Sequence, residues 1–478
     1  MKRPILALWS AAASRVLGLG RRGLAPAAAR PGARSCLLAL ALAAAGPGWV
    51  DAAPPAPPDP VLPEQVDLDT AVALALQNNF TIREARERIR QQQGVIVEMR
   101  GKGLPNVAAA GSYQENTQSI SQTEPSSTNF WQGQVTASQT LYAGGGVRAG
   151  VKNATLNRQA AVYDLEGTIN SVVLDVRTKF YTVLLDQAQL KVQQENVALL
   201  QSQVTDASNR FRAGTTSSFD TLRAKVALAN GEVTLITARN SLRIAIEQLR
   251  QSLGLVNHPG NPMQRTPTYV GELKYEATHF ELEACLAAAR VHRPELMRLT
   301  KLREAGEEAV TTAKSNYYPN LVLSGGWEIE KTPFSFTPGG SSQVNGWLVA
   351  LKSQWNIFDG ASTAGRVAQS RSLLEQSRLS LDEQALGIDV QVRQAFSSWE
   401  QANELDAATQ QTVAQAEESL RQATARYDAG SATHLDVLQS QVDLTQARTN
   451  LVQAHYTYAV AIAQLKQAMG IADGYVAR

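Results

Sequence analysis

Leu321-Val-Leu-Ser-Gly-Gly-Trp-Glu-Ile-Glu330 is the stretch on which the fold turns. Leu321, Leu323, Gly325, Trp327 and Ile329 fall on one face, and Val322, Ser324, Gly326, Glu328 and Glu330 on the other. A period of two means an extended strand with unlike faces. The pattern recurs at Trp347, Val349, Leu351, Trp355 and Ile357, against Ala350, Lys352, Gln354 and Asn356. It recurs again at Trp131, Gly133, Val135, Ala137 and Leu141, against Gln132, Gln134, Thr136, Ser138 and Thr140. A fourth strand, mostly alanine, begins at Asn106. The expected strands are 105–115, 131–142, 320–330 and 346–358. Such lengths match a tilted strand that spans a membrane. Four strands cannot close a barrel, and an open edge cannot exist in lipid. Membrane insertion therefore requires several chains to share one barrel: eight filled strands from two chains, or twelve around a lumen from three. The alternative is a soluble hairpin whose apolar face packs on helices.

Around these strands the chain is written twice. Of 19 prolines, ten lie at or before Pro63, none between Pro125 and Pro259, and none after Pro338. Proline is excluded from helix interiors, so the two proline-free blocks read as two helical halves. Leu104-Pro-Asn106 matches Tyr318-Pro-Asn320 at an offset of 214. Arg210-Phe-Arg-Ala-Gly214 matches Arg426-Tyr-Asp-Ala-Gly430 at 216, as does Phe219-Asp-Thr-Leu222 with Leu435-Asp-Val-Leu438. Each unit reads as a short helix (68–78, 281–291), a break near Phe80 or at Pro294, a second helix, two strands, a long helix (146–210, 361–427), an Ala-Gly turn, and a return helix (216–254, 432–470). The units span 67–254 and 281–472, joined by a linker at 255–280 and followed by a tail at 473–478. A 65-residue helix is about 97 Å long, and the second and return helices together match that length end to end. Leu374, Leu381, Ile388, Ala395 and Ala402 recur every seven residues, as do Leu190, Val197 and Val204. Sevenfold spacing means coiled-coil packing.

The N-terminus reads as a removable leader. Residues 1–36 carry seven Lys and Arg and no acid, followed by the apolar run Leu37–Ala45 and small residues near Ala52. This is a secretory signal, 1–52, ahead of a proline-rich linker, 53–66. Its apolar run is too short to span a membrane. With Cys36 in the leader, Cys285 has no internal disulfide partner, and the five histidines show no metal-ligand spacing. No catalytic residue, metal site or cofactor is expected. Net charge of +2 gives no basic field for nucleic acid.

In this order, the motifs resemble the TolC-type outer-membrane efflux family over nearly all of residues 65–472. The marks are Tyr318-Pro-Asn320, the strand-to-helix junctions Leu141-Tyr-Ala-Gly-Gly145 and Ile357-Phe-Asp-Gly360, and the two Arg-x-x-Ala-Gly turns. The resemblance implies a homotrimer whose twelve-stranded barrel crosses the outer membrane of a Gram-negative bacterium, above a helical tunnel through the periplasm. It also implies a passive duct with a periplasmic adaptor and an inner-membrane RND or ABC transporter as partners.

Gly214 and Gly430 are expected to end their helices in positive φ. Ser217 with Asp220, and Thr433 with Asp436, have capping-box spacing. By the resemblance, Asp436 points into the periplasmic gate, and Gln439 stands where a second aspartate is usual. Ala432 replaces a basic residue common there. Asp220, in the equivalent turn of the first unit, is expected at the periplasmic gate as well as in its cap. Arg210, Ala213, Gly214, Arg426, Ala429 and Gly430 resemble tips that meet the adaptor. Trp131, Trp327, Trp347 and Trp355 are expected on strands, as an aromatic belt against outer-membrane lipid. Gly144-Gly-Gly-Val-Arg-Ala-Gly150 lacks the lysine ending of a phosphate loop and reads as a strand-to-helix bend. His434 reads as a solvated turn histidine, the alternative being a pH-sensitive group near the entrance, and Cys285 reads as core. The rival reading is a periplasmic coiled-coil structural or adaptor protein with no pore.

Overall fold

The structure is a computed structural model that describes residues 63–115, 129–255, 267–332 and 342–471. The expected leader, most of the proline-rich linker, both strand-connecting loops and the tail lie outside the described residues. Among those described, the elements are β1 (Gln65–Val66), α1 (Leu68–Asn78), α2 (Phe80–Gly101), β2 (Asn106–Glu115), β3 (Asn129–Ala143), α3 (Gly146–Arg212) and α4 (Ser218–Ser252). They continue with β4 (Thr268–Tyr269), α5 (Leu282–His292), α6 (Pro294–Lys314), a 3₁₀ turn (Ser315–Tyr317), β5 (Asn320–Thr332), β6 (Ser342–Gln354), α7 (Ser362–Asp428) and α8 (His434–Ala468).

The long helices α3 and α7 have 67 residues each, about 100 Å at the standard rise. Each packs against the return helix that follows it, and α3 also packs on α8, which joins the two units. The heptad seam holds: Ile388 and Ala402 are fully buried, Leu374 and Leu381 are half-buried between exposed neighbours, and Ala395 is half-buried beside half-buried Phe396. Two equivalent cores sit where the short helices meet the long ones. One gathers Val66, Leu76, Ile82, Val176, Phe180, Leu249 and Tyr269; the other gathers Cys285, Leu286, Ile388, Val392, Trp399, Tyr458 and Leu465.

The breaks between the short and second helices have a polar cause. Asn79 accepts from the backbone N–H groups of Thr81 and Ile82 and so starts α2, while its side-chain amide donates to the Ser252 carbonyl at 2.8 Å. Arg293 occupies the same place in the second unit, with Pro294 at the first helical position. Its buried guanidinium donates to the Gln467 carbonyl at 3.4 Å and to the Gln391 side chain. Both breaks are thus tied to the last turn of a return helix: Asn79 donates to the Ser252 carbonyl, and Arg293 donates to the Gln467 carbonyl, which also accepts the Gly470 N–H.

The sheet order is β2-β3-β5-β6, antiparallel throughout, with both outer edges open. Two expectations are corrected. The last strand ends at Gln354 rather than at 358, so Trp355 and Ile357 lie beyond it. The linkers expected at 53–66 and 255–280 are not wholly irregular, because Gln65–Val66 pairs in parallel with Thr268–Tyr269. A two-residue strand shows no alternation, and its partner is some 200 residues away, so nothing local announces it.

Candidate functional site: a two-faced sheet and a pair of helical tips

The strand register sorts the side chains. Val107, Ala109, Tyr113, Trp131, Val135, Trp327, Ile329, Trp347, Val349 and Leu351 share one face across four strands. Ser112, Gln114, Gln132, Gln134, Thr136, Ser138, Ser324, Glu328, Glu330 and Lys352 share the other. The division is a bias rather than a clean split: Lys331, Gln343 and Asn345 join the first face toward the loop end, and Val322, Val344 and Leu348 join the second. A sheet mainly apolar on one face and mainly polar on the other suits a wall between hydrocarbon and water.

The tryptophans do not form one belt. Trp327 and Trp347 face each other at mid-sheet, and Trp131 lies level with Tyr113 and Lys331 near the loop end. Trp355 lies past the strand at the helix end, its indole N–H donating to the Tyr317 carbonyl at 3.0 Å. Two aromatic levels bound the apolar face: Tyr113 and Trp131 at one end, and Tyr142, Tyr317, Tyr318 and Trp355 at the other. Tyr113, Tyr142, Tyr317 and Tyr318 are all exposed, and the sequence reading passed over them because it counted only tryptophan. The levels are set by Lys331 and Leu321 on β5, ten residues or about 33 Å of strand, which tilting shortens toward the roughly 25 Å apolar band of such barrels.

At the far end of the helices the two turns share one backbone. Thr215 N–H donates to the Arg210 carbonyl and Gly214 N–H to that of Phe211; Ser431 and Gly430 repeat this with Arg426 and Tyr427. These are Schellman caps, and they need the left-handed φ of Gly214 (+75°) and Gly430 (+74°). A Cβ at either glycine would meet nothing within 4 Å.

The aspartates cap as expected. Asp436 closes a full capping box: its carboxylate accepts from the Thr433 backbone N–H and hydroxyl, both at 2.8 Å, and its own N–H donates back to the Thr433 hydroxyl. Asp220 takes the hydroxyls of Ser217 (2.7 Å) and Thr216 (2.9 Å). These bonds hold both carboxyls below their ordinary pKa, for Asp436 first through the Thr433 backbone and for Asp220 first through Ser217. Gln439 donates to Asp443 at 2.9 Å. Asp436, Gln439 and Asp443 follow helical spacing on one exposed face of α8. Asp443 was missed by the sequence reading, although its i+7 spacing from Asp436 was the available signal.

The tip arginines differ. Arg210 bonds Asp206 on its own helix and Asp428 of the other turn, each at 2.8 Å, and lies over the Tyr427 ring at 4.8 Å. Arg426 is exposed and makes no ion pair among the described residues. His434 is not solvated, contrary to expectation. It is buried against Tyr427, and neither ring nitrogen has a hydrogen-bond partner among the described residues. Burial lowers its pKa, and Arg210 and Arg223 act the same way against the opposing pull of Asp220 and Asp206.

The model of the outer membrane efflux protein family matches residues 71–255 and 285–471. The chain is similar to outer membrane protein TolC of Vibrio cholerae serotype O1, with 22% identity over 78% of this chain and 84% of that one. It is similar to outer membrane protein TolC of Escherichia coli K12, with 24% identity over 63% of this chain and 61% of that one. In fold it is similar to the Campylobacter jejuni CmeC outer membrane channel, with a TM-score of 0.72, 17% identity, and coverage of 84% of this chain and 85% of that one.

Proposed function

The chain belongs to the outer membrane efflux protein family, whose members are channels, and is an outer-membrane channel for tripartite efflux or secretion with a large periplasmic helical portion; from that premise we propose that three copies pool their four strands into one barrel around a common lumen. The observation that carries this is a two-faced, four-stranded sheet with two open edges. An open edge in hydrocarbon leaves backbone groups unsatisfied, and twelve strands are enough to enclose water. Further support comes from α4. Phe219, Leu222, Val226, Val233 and Ile236 are exposed at heptad-like spacing, a seam for a helix of another copy.

The duct is passive. A periplasmic adaptor meets the bare glycine tips at Gly214 and Gly430, and an inner-membrane RND or ABC transporter supplies the substrate. Asp436, with Asp443 along the same face, gives the periplasmic end a ring of carboxylates that favours cations. Their bonds to Thr433 keep the Asp436 carboxyls ionised, opposing the mutual repulsion that three like charges would bring to one constriction.

Conductance of the purified protein in planar bilayers tests this. Open channels with cation preference are expected, and Asp436→Asn, which keeps the capping geometry, should reduce that preference at least twofold. A protein that inserts no channel sinks the shared barrel. Unchanged selectivity in Asp436→Asn removes the gate assignment alone.

A further inference from the structure

We infer that the seam closing the barrel repeats, between two copies of this chain, the register by which β3 pairs with β5 inside one copy. The inference rests on the shared-barrel reading above and adds to it the residues that meet. Asn106 and Asn320 begin β2 and β5 at the duplication's offset of 214, and β3 corresponds to β6 at an offset of 216. Asn106 pairs with Ser138, and Asn320 pairs with Gln354, the residue 216 beyond Ser138. The two hairpins are therefore in the same register.

They differ in one respect. Beyond Ser138, β3 continues to Ala143, paired on its other side by Leu323 to Asn320 of β5. The corresponding residues, 355–359, join no ladder. Ile357 and Phe358 are 83% and 88% exposed. They lack the neighbour that β5 provides to β3, and β2 of a second copy is the strand that corresponds to β5. β2 waits in the same condition, since all ten of its residues are exposed on the open edge.

Carrying the internal register across the duplication sets Asp359 opposite Asn106 of the next copy, Phe358 opposite Val107, Trp355 opposite Ala109, Lys352 opposite Ser112 and Leu351 opposite Tyr113. Ile357 takes the place of Leu141, the extra residue where the internal seam shifts between Thr140 and Tyr142. Two features of the chain fit this arrangement. The apolar face of β6 continues into the apolar face of β2, whereas a one-residue slip would turn Trp355 into the lumen. The smallest residues of β2, Ala108 to Gly111, meet Asn356, Trp355, Gln354 and Ser353, so alanine-rich β2 makes room for the bulk beside it. The completed seam extends β6 to Asp359 and adds Phe358 to the helix-end aromatic level of Tyr142, Tyr317, Tyr318 and Trp355.

Paired cysteines in the full chain test the register. Ser112→Cys with Lys352→Cys is expected to give covalent dimers and trimers on a non-reducing gel after mild oxidation of outer membranes. Ser112→Cys with Ala350→Cys, or with Gln354→Cys, reports slips of two residues and is expected to give less than a tenth of that yield. Tyr113→Cys with Leu351→Cys is a second reporter, and the single variants, which retain buried Cys285, are the controls. Stronger linkage in a slipped pair, or none in any pair of an intact trimer, overturns the register and leaves the shared barrel standing. A wild-type chain that is monomeric by mass in mild detergent overturns the shared barrel itself.

Discussion

The turn at Gly214 and the turn at Gly430 are copies of one backbone with different chemistry. Both end a 67-residue helix with a Schellman cap and start a 35-residue helix at a Ser or Thr cap. At matched positions the first turn has Phe211, Arg212 and Ser218, and the second has Tyr427, Asp428 and His434. These exchanges make the second turn a receiver. Tyr427 carries the Arg210 guanidinium, Asp428 accepts from it, and His434 fills the space behind the ring. The first turn has no such role and leaves Phe219 exposed beneath Arg223. Duplication preserved what fixes the chain path and released what fixes partners. One unit can therefore anchor a cross-tip contact while its twin offers a bare surface.

The largest expected effect comes from crowding the bare backbone. Gly430→Val should leave the trimer intact, because its Cβ meets nothing, yet lower export more than tenfold by strain in the left-handed φ and by bulk at the docking tip. Export assays beside trimer mass in detergent check it, and normal export by an intact variant would remove tip docking. Next come the caps. Thr433→Ala removes one side of a closed box and should cost about 1 kcal/mol, and Ser217→Ala somewhat less, by chemical denaturation. Equal losses would mean that the Thr433 hydroxyl gains nothing over that of Ser217 from sitting in a closed box.

A pH effect separates the turns further. His434 has a pKa below its ordinary 6.5, so the unfolded chain binds the proton more readily than the folded one. The stability that neutral His434 contributes is complete above pH 6.5 and is lost as pH falls through the lowered value. His434→Ser, the residue at that position in the first turn, should flatten the fall in melting temperature between pH 7.5 and 5.5. An unchanged slope assigns the acid sensitivity elsewhere. The lowered Asp220 and Asp436 carboxyls act in the same direction at lower pH: their caps are complete above the ordinary 3.8 and are lost as pH falls through their depressed values. The smallest effect is the cross-tip ion pair. Its side chains are 35% and 56% exposed, so a double-mutant cycle of Arg210→Ala and Asp428→Asn should give a coupling of about 0.5 kcal/mol. The same cycle with Arg426 in place of Arg210 should give none.

Much of the molecule was legible because it repeats. Four strands, the helix breaks at Asn79 and Pro294, and the glycine turns all follow from period, proline and offset. The short β1–β4 pairing was not legible, because no local pattern marks a two-residue strand. The end of β6 was misread for a different reason. Residues 355–358 continue the alternation of a strand, as the sequence indicated, but a strand needs a neighbour, and among the described residues of one chain they have none. At the tips, the residue types marked the caps correctly and misread His434 as solvated, while the ion pair of Arg210 with Asp428 had no signal along the chain.

The sequence by itself determined the duplication, the two-faced strands, the heptad seams and the caps, since each is a property of neighbouring residues on one backbone. Only the tertiary structure decided that Arg210 reaches Asp428 while Arg426 has no ion pair among the described residues, that His434 is buried, and that Asn79 and Arg293 tie the short helices to the return helices. Those outcomes depend on which helix ends approach one another across some 170 to 220 residues of chain. Hydrogen bonds and ion pairs form only within a few ångströms, so their partners are settled by packing rather than by spacing along the chain.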